Sequence, residues 1–330
     1  MQPTFIDNGR VMVGVGSMRV VDPGTGRERY RRAFESLTAS EREIAFASFT
    51  FDPDERGSVV IIPDQISDEP THVGEMSPGL IIDDGIEDWR KALRLAMAAI
   101  SAGTVAKVVV ARRVRLETQT RPEALLAQLA RRHGSGFVYG VGDLVGATPE
   151  LLARVSDGHL ESEVLAGTAP REGTLDTEKL SAEHSYAARS AVEPLRRLLM
   201  GPPNVETGEI AHGLVKHRAT RISGATEPGT TVLDALAALH PTAAVAGTPT
   251  DRAVSLIREI ETSPRGAYGG PVGWFDREGN GVFAVAIRSA QFGDGLVLHA
   301  GGGLVAGSVE ADELEETELK LRTVLDAFQS

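Results

Sequence analysis

Two glutamates near the end of the chain have the spacing of a metal-binding pair. Glu313 and Glu316 lie three residues apart in an acidic run that predicts a helix over 310–328, so their carboxylates share one face. Carboxylate oxygens suit Mg²⁺, which keeps waters or substrate oxygens as its remaining ligands. A solvated, charge-rich surface helix is the commoner outcome for such a run.

Three other charged residues could do acid–base or metal chemistry, and each also has an ordinary structural explanation. Glu183 lies at the start of a predicted helix over 181–199, where a carboxylate either complements the helix dipole or supplies a third metal ligand. Lys107 precedes an apolar strand, and a lysine there either reaches solvent or, if it points into a cleft, is a candidate general base. Glu150 follows Pro149, and a buried glutamate at this point would have a raised pKa and could donate a proton at neutral pH.

Two glycine-rich stretches, at 165–171 and 299–308, would let backbone N–H groups approach an anion. Neither matches a phosphate-binding loop or a dinucleotide fingerprint, which argues against nucleotide binding. Arg288 lies in an otherwise apolar predicted strand and is expected to pair with a carboxylate. The histidines show no zinc spacing, and His240, before Pro241, is either a site residue or a structural hydrogen-bonding histidine.

The elements that must position these residues alternate irregularly along the chain. Helices are predicted at 88–100, 122–132, 181–199, 232–239, 251–261 and 310–328, and strands at 11–15, 58–62, 105–116, 137–141, 151–155, 213–222, 269–275, 281–289 and 296–305. Without regular βαβ alternation, this order predicts an α+β fold with large mixed, mainly antiparallel sheets flanked by helices. We expect one domain over 1–330, in which 1–85 is a less regular N-terminal flank of strands and turns and 86–330 carries the active site.

Composition narrows the classes of function. The 330 residues include no cysteine, which excludes disulfides and thiolate chemistry and favours a reducing cytoplasm. A net charge of −12 and an aromatic content of 5% argue against a nucleic-acid partner. Neither a signal peptide nor a membrane-spanning apolar run is expected, so the protein should be cytoplasmic with no membrane partner. An acidic protein that binds an anion must reverse its negative electrostatic potential at the binding site, with a divalent cation or a few Arg and Lys side chains.

Taken in order, a series of motifs from Lys107 to the C-terminus resembles the chorismate-utilising enzymes, and among them the isochorismate synthases most closely. The motifs are Lys107-Val-Val-Val-Ala-Arg, Gly146-Ala-Thr-Pro-Glu-Leu-Leu, Leu165-Ala-Gly-Thr-Ala-Pro-Arg, Glu183-His, Leu239-His-Pro-Thr-Ala, Tyr268-Gly-Gly-Pro-Val-Gly-Trp, Ala286-Ile-Arg, Ala300-Gly-Gly-Gly and Glu313-x-x-Glu-Thr-x-x-Lys320. Each motif is weak alone, whereas their order and spacing make the set specific.

The resemblance implies a chorismate-binding enzyme fold and a Mg²⁺-dependent isomerisation of chorismate to isochorismate, whose product enters menaquinone or siderophore biosynthesis. Lys107 would activate the water that adds at C2, and Glu150 would protonate the departing C4 hydroxyl. The metal would be held by Glu183 and Glu316, with Glu313 acting through water. The implied substrate contacts are Gly167, Thr168, His240, Ala244, Tyr268, Ile287, Arg288, Gly301, Gly302 and Lys320, with Arg288 on the enolpyruvyl carboxylate.

Two positions separate the chain from relatives that add ammonia. Those relatives carry glutamine where this chain has Lys107, or lysine where it has Ala166, so water is the expected nucleophile, with no glutaminase subunit and a monomeric enzyme. Salicylate synthases, which go on to eliminate pyruvate, share Lys107 and are the alternative. A non-catalytic chorismate-binding module is less favoured, because a binder needs no acid–base pair. The chain departs from the family pattern at Leu180, where an acidic residue is usual, at His299, where an aromatic or apolar residue is common, and over its N-terminal third.

Overall fold

The helices and strands that build the site come from a computed structural model, which describes residues 1–69, 74–212 and 215–328. The helices are α1 Glu28–Thr38, α2 Ile86–Ser101, α3 Pro122–Arg132, α4 Glu178–Arg196, α5 Val232–Leu239, α6 Thr250–Ile260 and α7 Glu310–Leu325, and a 3-10 turn follows at Asp326–Phe328. The strands are β1 Thr4–Asp7, β2 Arg10–Val21, β3 Ile44–Ser48, β4 Val59–Ser67, β5 Leu80–Asp83, β6 Lys107–Glu117, β7 Phe137–Val141, β8 Leu144–Thr148, β9 Leu151–Ser156, β10 His159–Pro170, β11 Asn204–His212, β12 Val215–Ala225, β13 Gly247–Thr248, β14 Pro271–Asp276, β15 Gly281–Val285, β16 Ser289–Gly293 and β17 Gly295–Val305.

Hydrogen bonds join the described strands into one network of ladders. The strand pairs within the described residues run antiparallel, which confirms the predicted α+β class with mainly antiparallel sheets. The ladder between β6 and β17 matters most for the site, because it places Lys107 opposite Val305 and Val109 opposite Gly303. The start of predicted strand 213–222 lies outside the described residues.

The side chains of β6 alternate between two faces of the strand, and only one of these faces packs into the hydrophobic core. Val108 and Val110 pack in one buried cluster with Trp89 of α2, and Val114 packs in another with Leu321 of α7. Successive side chains of a strand point to opposite sides, so Lys107 and the other odd-numbered residues of β6 face away from these clusters. None of the described helices is long and apolar enough to cross a bilayer.

A buried ion pair closes the edge of β6 where the short strand β13 ends. The Arg265 guanidinium donates to the carbonyl oxygens of Val109 and Val245, each at 2.8 Å, and to both carboxylate oxygens of Glu261, at 2.6 and 2.8 Å. Glu261 Oε1 in turn accepts the backbone N–H of Ala111 at 2.9 Å. These side chains replace a neighbouring strand, because buried backbone groups need partners, and they fix β6 against the loop that follows α5.

The structure differs from the predicted helices and strands in three places. The N-terminal flank contains a helix, α1, whose charged sequence obscured the buried stripe of Tyr30, Ala33 and Leu37. Helix α4 begins at Glu178 rather than Ser181, because the Thr177 hydroxyl accepts the Leu180 N–H and caps it. The predicted strand over 281–289 is broken between β15 and β16, because the chain leaves the strand over 286–288.

Candidate active site

A cavity opens on the face of the β6–β17 ladder that faces away from the core. It is lined by Val109, Pro149, Glu150, Leu165, Ala166, Thr168, Glu183, His217, Ala244, Val245, Tyr268, Ile287, Arg288, His299, Ala300, Gly301, Gly303 and Lys320. Most of the residues that the sequence singled out therefore lie around one space. Of the predicted set, Lys107, Gly167, His240, Gly302, Glu313 and Glu316 are not part of this lining.

Lys107 lies directly behind the lining and does not reach solvent. Its side chain is fully buried, and Nζ lies 3.4 Å from Glu183 Oε1 with no hydrogen bond to a described residue. Glu183 is buried and lies beyond the first turn of α4, because that helix begins at Glu178. A helix dipole acts mainly within the first turn, so the dipole explanation does not account for Glu183. The structure instead pairs it with a buried ammonium beside the cavity.

Glu150 is a buried carboxyl at the start of β9. Burial raises the pKa of Glu150 to about 8, although the Leu165 amide, which donates to the carboxyl, and the Lys107 and Arg288 cations act in the opposite direction. The surface position that is usual for a lone glutamate does not apply, because Glu150 is 4% exposed. At neutral pH the side chain is therefore a carboxylic acid, the form that can donate a proton.

Arg288 lies in the break between β15 and β16, with a left-handed backbone, φ +51°. A non-glycine residue in this region costs roughly 1–3 kcal/mol and persists only where its surroundings enforce it. The expected carboxylate partner is not found, because no described carboxylate lies within ion-pair distance of Arg288, and its guanidinium donates to His217 Nε2 at 2.7 Å. Burial lowers the pKa of Arg288 to about 10, so it remains a cation at neutral pH. An uncompensated guanidinium on a cavity wall is available to an anionic ligand.

His217 is a lining residue that the sequence reasoning missed. A guanidinium only donates hydrogen bonds, so His217 Nε2 must accept from Arg288, and the proton must sit on Nδ1, which donates to Thr168 Oγ1 at 3.0 Å. A β-bulge at Gly167, φ +73°, brings Thr168 opposite His217. The signal available in the sequence was a histidine within a predicted strand, because a polar side chain that such a strand buries needs a hydrogen-bond partner. In the structure, His217 is a buried residue of β12.

The glycine strip Gly301–Gly303 of β17 makes room for charged side chains on both faces of its strand. A Cβ at Gly303 would overlap Glu183 Oε1 and lie 3.0 Å from Lys107 Cε, and one at Gly302 would lie 2.8 Å from Glu313 Oε2. These glycines were expected to expose backbone N–H groups to an anion. The structure shows a further reason for glycine at Gly302 and Gly303, because a side chain there would displace the buried charged groups.

The predicted metal ligands surround this strip without converging on one point. Glu313 is fully buried beside Gly302, while Glu316 Oε1 accepts from Lys320 Nζ at 2.5 Å and Lys320 also donates to the Gly301 carbonyl at 2.8 Å. Among the described residues no three acidic or histidine side chains form a ready metal cluster. The donor set nevertheless fits Mg²⁺ by its chemistry, since it consists of carboxylates, two of which are now paired with lysines.

His240 lies away from the cavity. Its Nε2 is 2.8 Å from the Phe51 carbonyl oxygen, and burial lowers the pKa of His240 to about 3. A neutral, buried imidazole that donates to a backbone carbonyl matches the structural alternative for this residue. It ties the loop after α5, which carries Ala244, to the N-terminal flank.

The family described as chorismate binding enzyme matches residues 68–329, and the match covers most of the chain. The chain belongs to this family. It is 35% identical over 272 residues to the isochorismate synthase DhbC of Bacillus subtilis, covering 73% of this chain and 68% of that protein. It is also 34% identical over 261 residues to the anthranilate synthase component 1 of Pseudomonas putida, covering 73% of this chain but only 53% of that protein.

The whole described fold also resembles solved structures of the family. The crystal structure of DhbC from Bacillus anthracis superposes with a TM-score of 0.89 at 26% identity, covering 99% of this chain and 96% of that one. The N-terminal flank, which matched the family pattern poorly in sequence, therefore belongs to the same fold. The family includes both isochorismate synthases and anthranilate synthase components. Membership of the family therefore does not determine which reaction a member catalyses.

The glycine strip yields a direct test of how the site is packed. We expect Gly303→Ala to lower the free energy of unfolding by about 1–3 kcal/mol, because the new methyl group must displace Glu183 and Lys107. Gly293→Ala, in β16, is the matched control, since a Cβ there meets nothing within 4 Å. Urea denaturation of both variants measures the difference, and equal stability of the two would show that the strip is not tightly packed.

Proposed function

We propose that this chain is an isochorismate synthase that isomerises chorismate to isochorismate. The observation that carries the proposal is a buried carboxylic acid, Glu150, in the wall of the cavity, together with a buried lysine, Lys107, that lies behind the wall beside Glu183. A displacement of one hydroxyl by another needs a proton donor for the leaving group and an acceptor for the attacking water. The similarity to the isochorismate synthase DhbC supports the same assignment.

In the proposed reaction one water enters and one leaves. For this step Lys107 must leave its ion pair with Glu183 as a neutral amine, and it then takes a proton from the water whose oxygen bonds to C2. The ring double bonds shift, the C4–O bond breaks, and Glu150 gives its proton to the departing hydroxyl. The cations Arg288 and Lys320 line the same cavity and would hold the carboxylates of the dianionic substrate, which an acidic protein must attract locally.

Mg²⁺ is proposed as the cofactor, with Glu183, Glu313 and Glu316 as its protein ligands. When bound, it would neutralise and orient a substrate carboxylate. This chain's own part is to keep the three side chains beside the glycine strip, where Lys107 and Lys320 already hold two of them. Each lysine contacts the Oε1 atom of its carboxylate, so the lysines would compete with the metal for these two side chains.

Water is the proposed nucleophile, in preference to ammonia. A buried lysine beside Glu183 provides a base for water, and no base is needed for ammonia, which is already nucleophilic. Because the chain is also similar to an anthranilate synthase component, the addition of ammonia is the alternative reaction that the experiment must distinguish.

Product analysis tests the assignment. Chorismate and Mg²⁺ are expected to yield isochorismate, and removal of the metal with a chelator should abolish turnover. Lys107→Ala and Glu150→Gln are each expected to lower kcat at least about 100-fold, because each removes one half of the proton transfer, while chorismate binding persists. Chromatography that finds anthranilate when ammonium is supplied, or salicylate as the main product, would assign a different reaction. No turnover by folded protein would contradict the proposal.

The pH dependence follows from Glu150. The active form is the protonated one, so kcat/KM should fall as pH rises through the pKa of Glu150, about 8, by about tenfold per pH unit beyond it. Initial rates from pH 6 to 10 measure this limb, and the residual activity of Glu150→Gln should lack it. A flat profile to pH 10 in the native enzyme would remove Glu150 from the acid role.

A further inference from the structure

His299 is a buried histidine that the proposed reaction does not use. It lies on β17, at a position where an aromatic or apolar residue was expected, and its ring stacks on Tyr268 with centroids 5.1 Å apart. It lines the cavity described above and also a second, smaller cavity, whose other walls are Asp83, Gly85, Asp88, Trp89, Ala92, Ala111, Arg113, Glu261, Thr262 and Ser263. An apolar side chain would suffice for the stacking alone, so the choice of histidine needs another reason.

The ring nitrogens of His299 face open space. Across residues 1–69, 74–212 and 215–328, neither nitrogen has a hydrogen-bond partner, yet neither is sealed inside the protein as Trp89 Nε1 and Lys107 Nζ are. The open space against this side chain is that of the two cavities. Ring nitrogens that open onto a cavity and have no protein partner are available to hydrogen-bond a ligand or a water there.

The imidazole is neutral under ordinary conditions. Burial lowers the pKa of His299 to about 3, and the Arg265 and Arg113 cations lower it further. A neutral imidazole presents one N–H donor and one acceptor nitrogen. It can therefore donate to an oxygen atom without adding charge to the site.

The strand register puts this ring beside the reacting region. His299 lies opposite Arg113, and Gly301 and Gly303 lie opposite Ala111 and Val109 on the same face of the ladder. Two residues along a strand advance about 6.5 Å, so His299 stands one such step from Gly301. Between His299 and Val305, which lies opposite Lys107, this face of β17 carries only Gly301 and Gly303. Val305 does not line the cavity, so His299 is the side chain that this face of β17 presents to a ligand there.

We propose that His299 donates a hydrogen bond to a hydroxyl or carboxylate oxygen of the bound substrate and so helps to determine specificity in this chain. The inference rests on the proposed function for the identity of the substrate. A role in holding a water in the second cavity instead is the competing outcome of the test below.

Two substitutions separate the hydrogen bond from the stacking. His299→Phe keeps an aromatic ring against Tyr268 and removes both nitrogens, whereas His299→Gln keeps a hydrogen-bonding group and removes the ring. We expect His299→Phe to raise KM for chorismate about tenfold, the effect of one lost hydrogen bond, and to change kcat less than about twofold. His299→Gln should stay within about threefold of the native KM. His159→Phe, at an exposed position of β10, is the control and should leave both constants unchanged.

Calorimetric titration with chorismate measures the same step without turnover. In a Glu150→Gln background, adding His299→Phe should weaken chorismate binding about tenfold, and thermal unfolding should verify that the variants are folded. If His299→Phe folds poorly, His299→Met serves the same comparison. A native KM and Kd in His299→Phe, or an equal loss in the Phe and Gln variants, would overturn the proposal. Absence of isochorismate with native protein would instead contradict the proposed function, and the binding comparison would still decide the role of His299.

Discussion

The site depends on a strip of strand β17 that has no side chains. Gly301, Gly302 and Gly303 stay in register with β6, and the volume next to Gly302 and Gly303 is occupied by the ends of Glu183, Glu313 and Lys107. Close-packed interiors do not tolerate even one added methyl group without displacement. A β-ladder, the most regular element of the fold, is thus the element that creates space for buried charge.

Two ion pairs balance buried charges around this strip. Lys107 is held by Glu183, and Lys320 by Glu316 and the Gly301 carbonyl, so neither carboxylate is buried without a counter-charge. Arg288 differs, because its described partner is the neutral His217. In a protein with a net charge of −12, the Arg288 cation on one wall of the cavity can therefore meet an anionic group of a ligand.

The parts of the site that the sequence predicted are those fixed by local pattern. The unbroken apolar run that follows Lys107 predicted a strand over 105–116, which the structure places at Lys107–Glu117. Helix α3 and strand β7 lie where the sequence predicted them. Glu150 and Glu183 were recognised as candidates, although burial, which decides between a surface role and chemistry, is not a local property. The order of several weak motifs carried the interpretation further than any single residue.

The parts that the sequence did not predict arise from tertiary contacts. The left-handed backbone of Arg288 is imposed by neighbours, including Ala147, whose N–H donates to the Arg288 carbonyl. The bulge at Gly167 aims Thr168 at His217, and neither the bulge nor the partner is visible in a one-dimensional pattern. His240 shows the reverse case, since a residue prominent in a motif lies behind the cavity and supports the loop that forms its wall.

The role of Lys107 depends on whether water or a hydroxyl of the substrate itself bonds to C2, and isotope labelling distinguishes the two. Turnover of chorismate in water enriched in ¹⁸O, followed by mass spectrometry of the product, should give isochorismate that carries one ¹⁸O atom, located on the C2 hydroxyl. Isochorismate without the label would mean that the hydroxyl migrates within the substrate, and Lys107 would then not be the base that activates water.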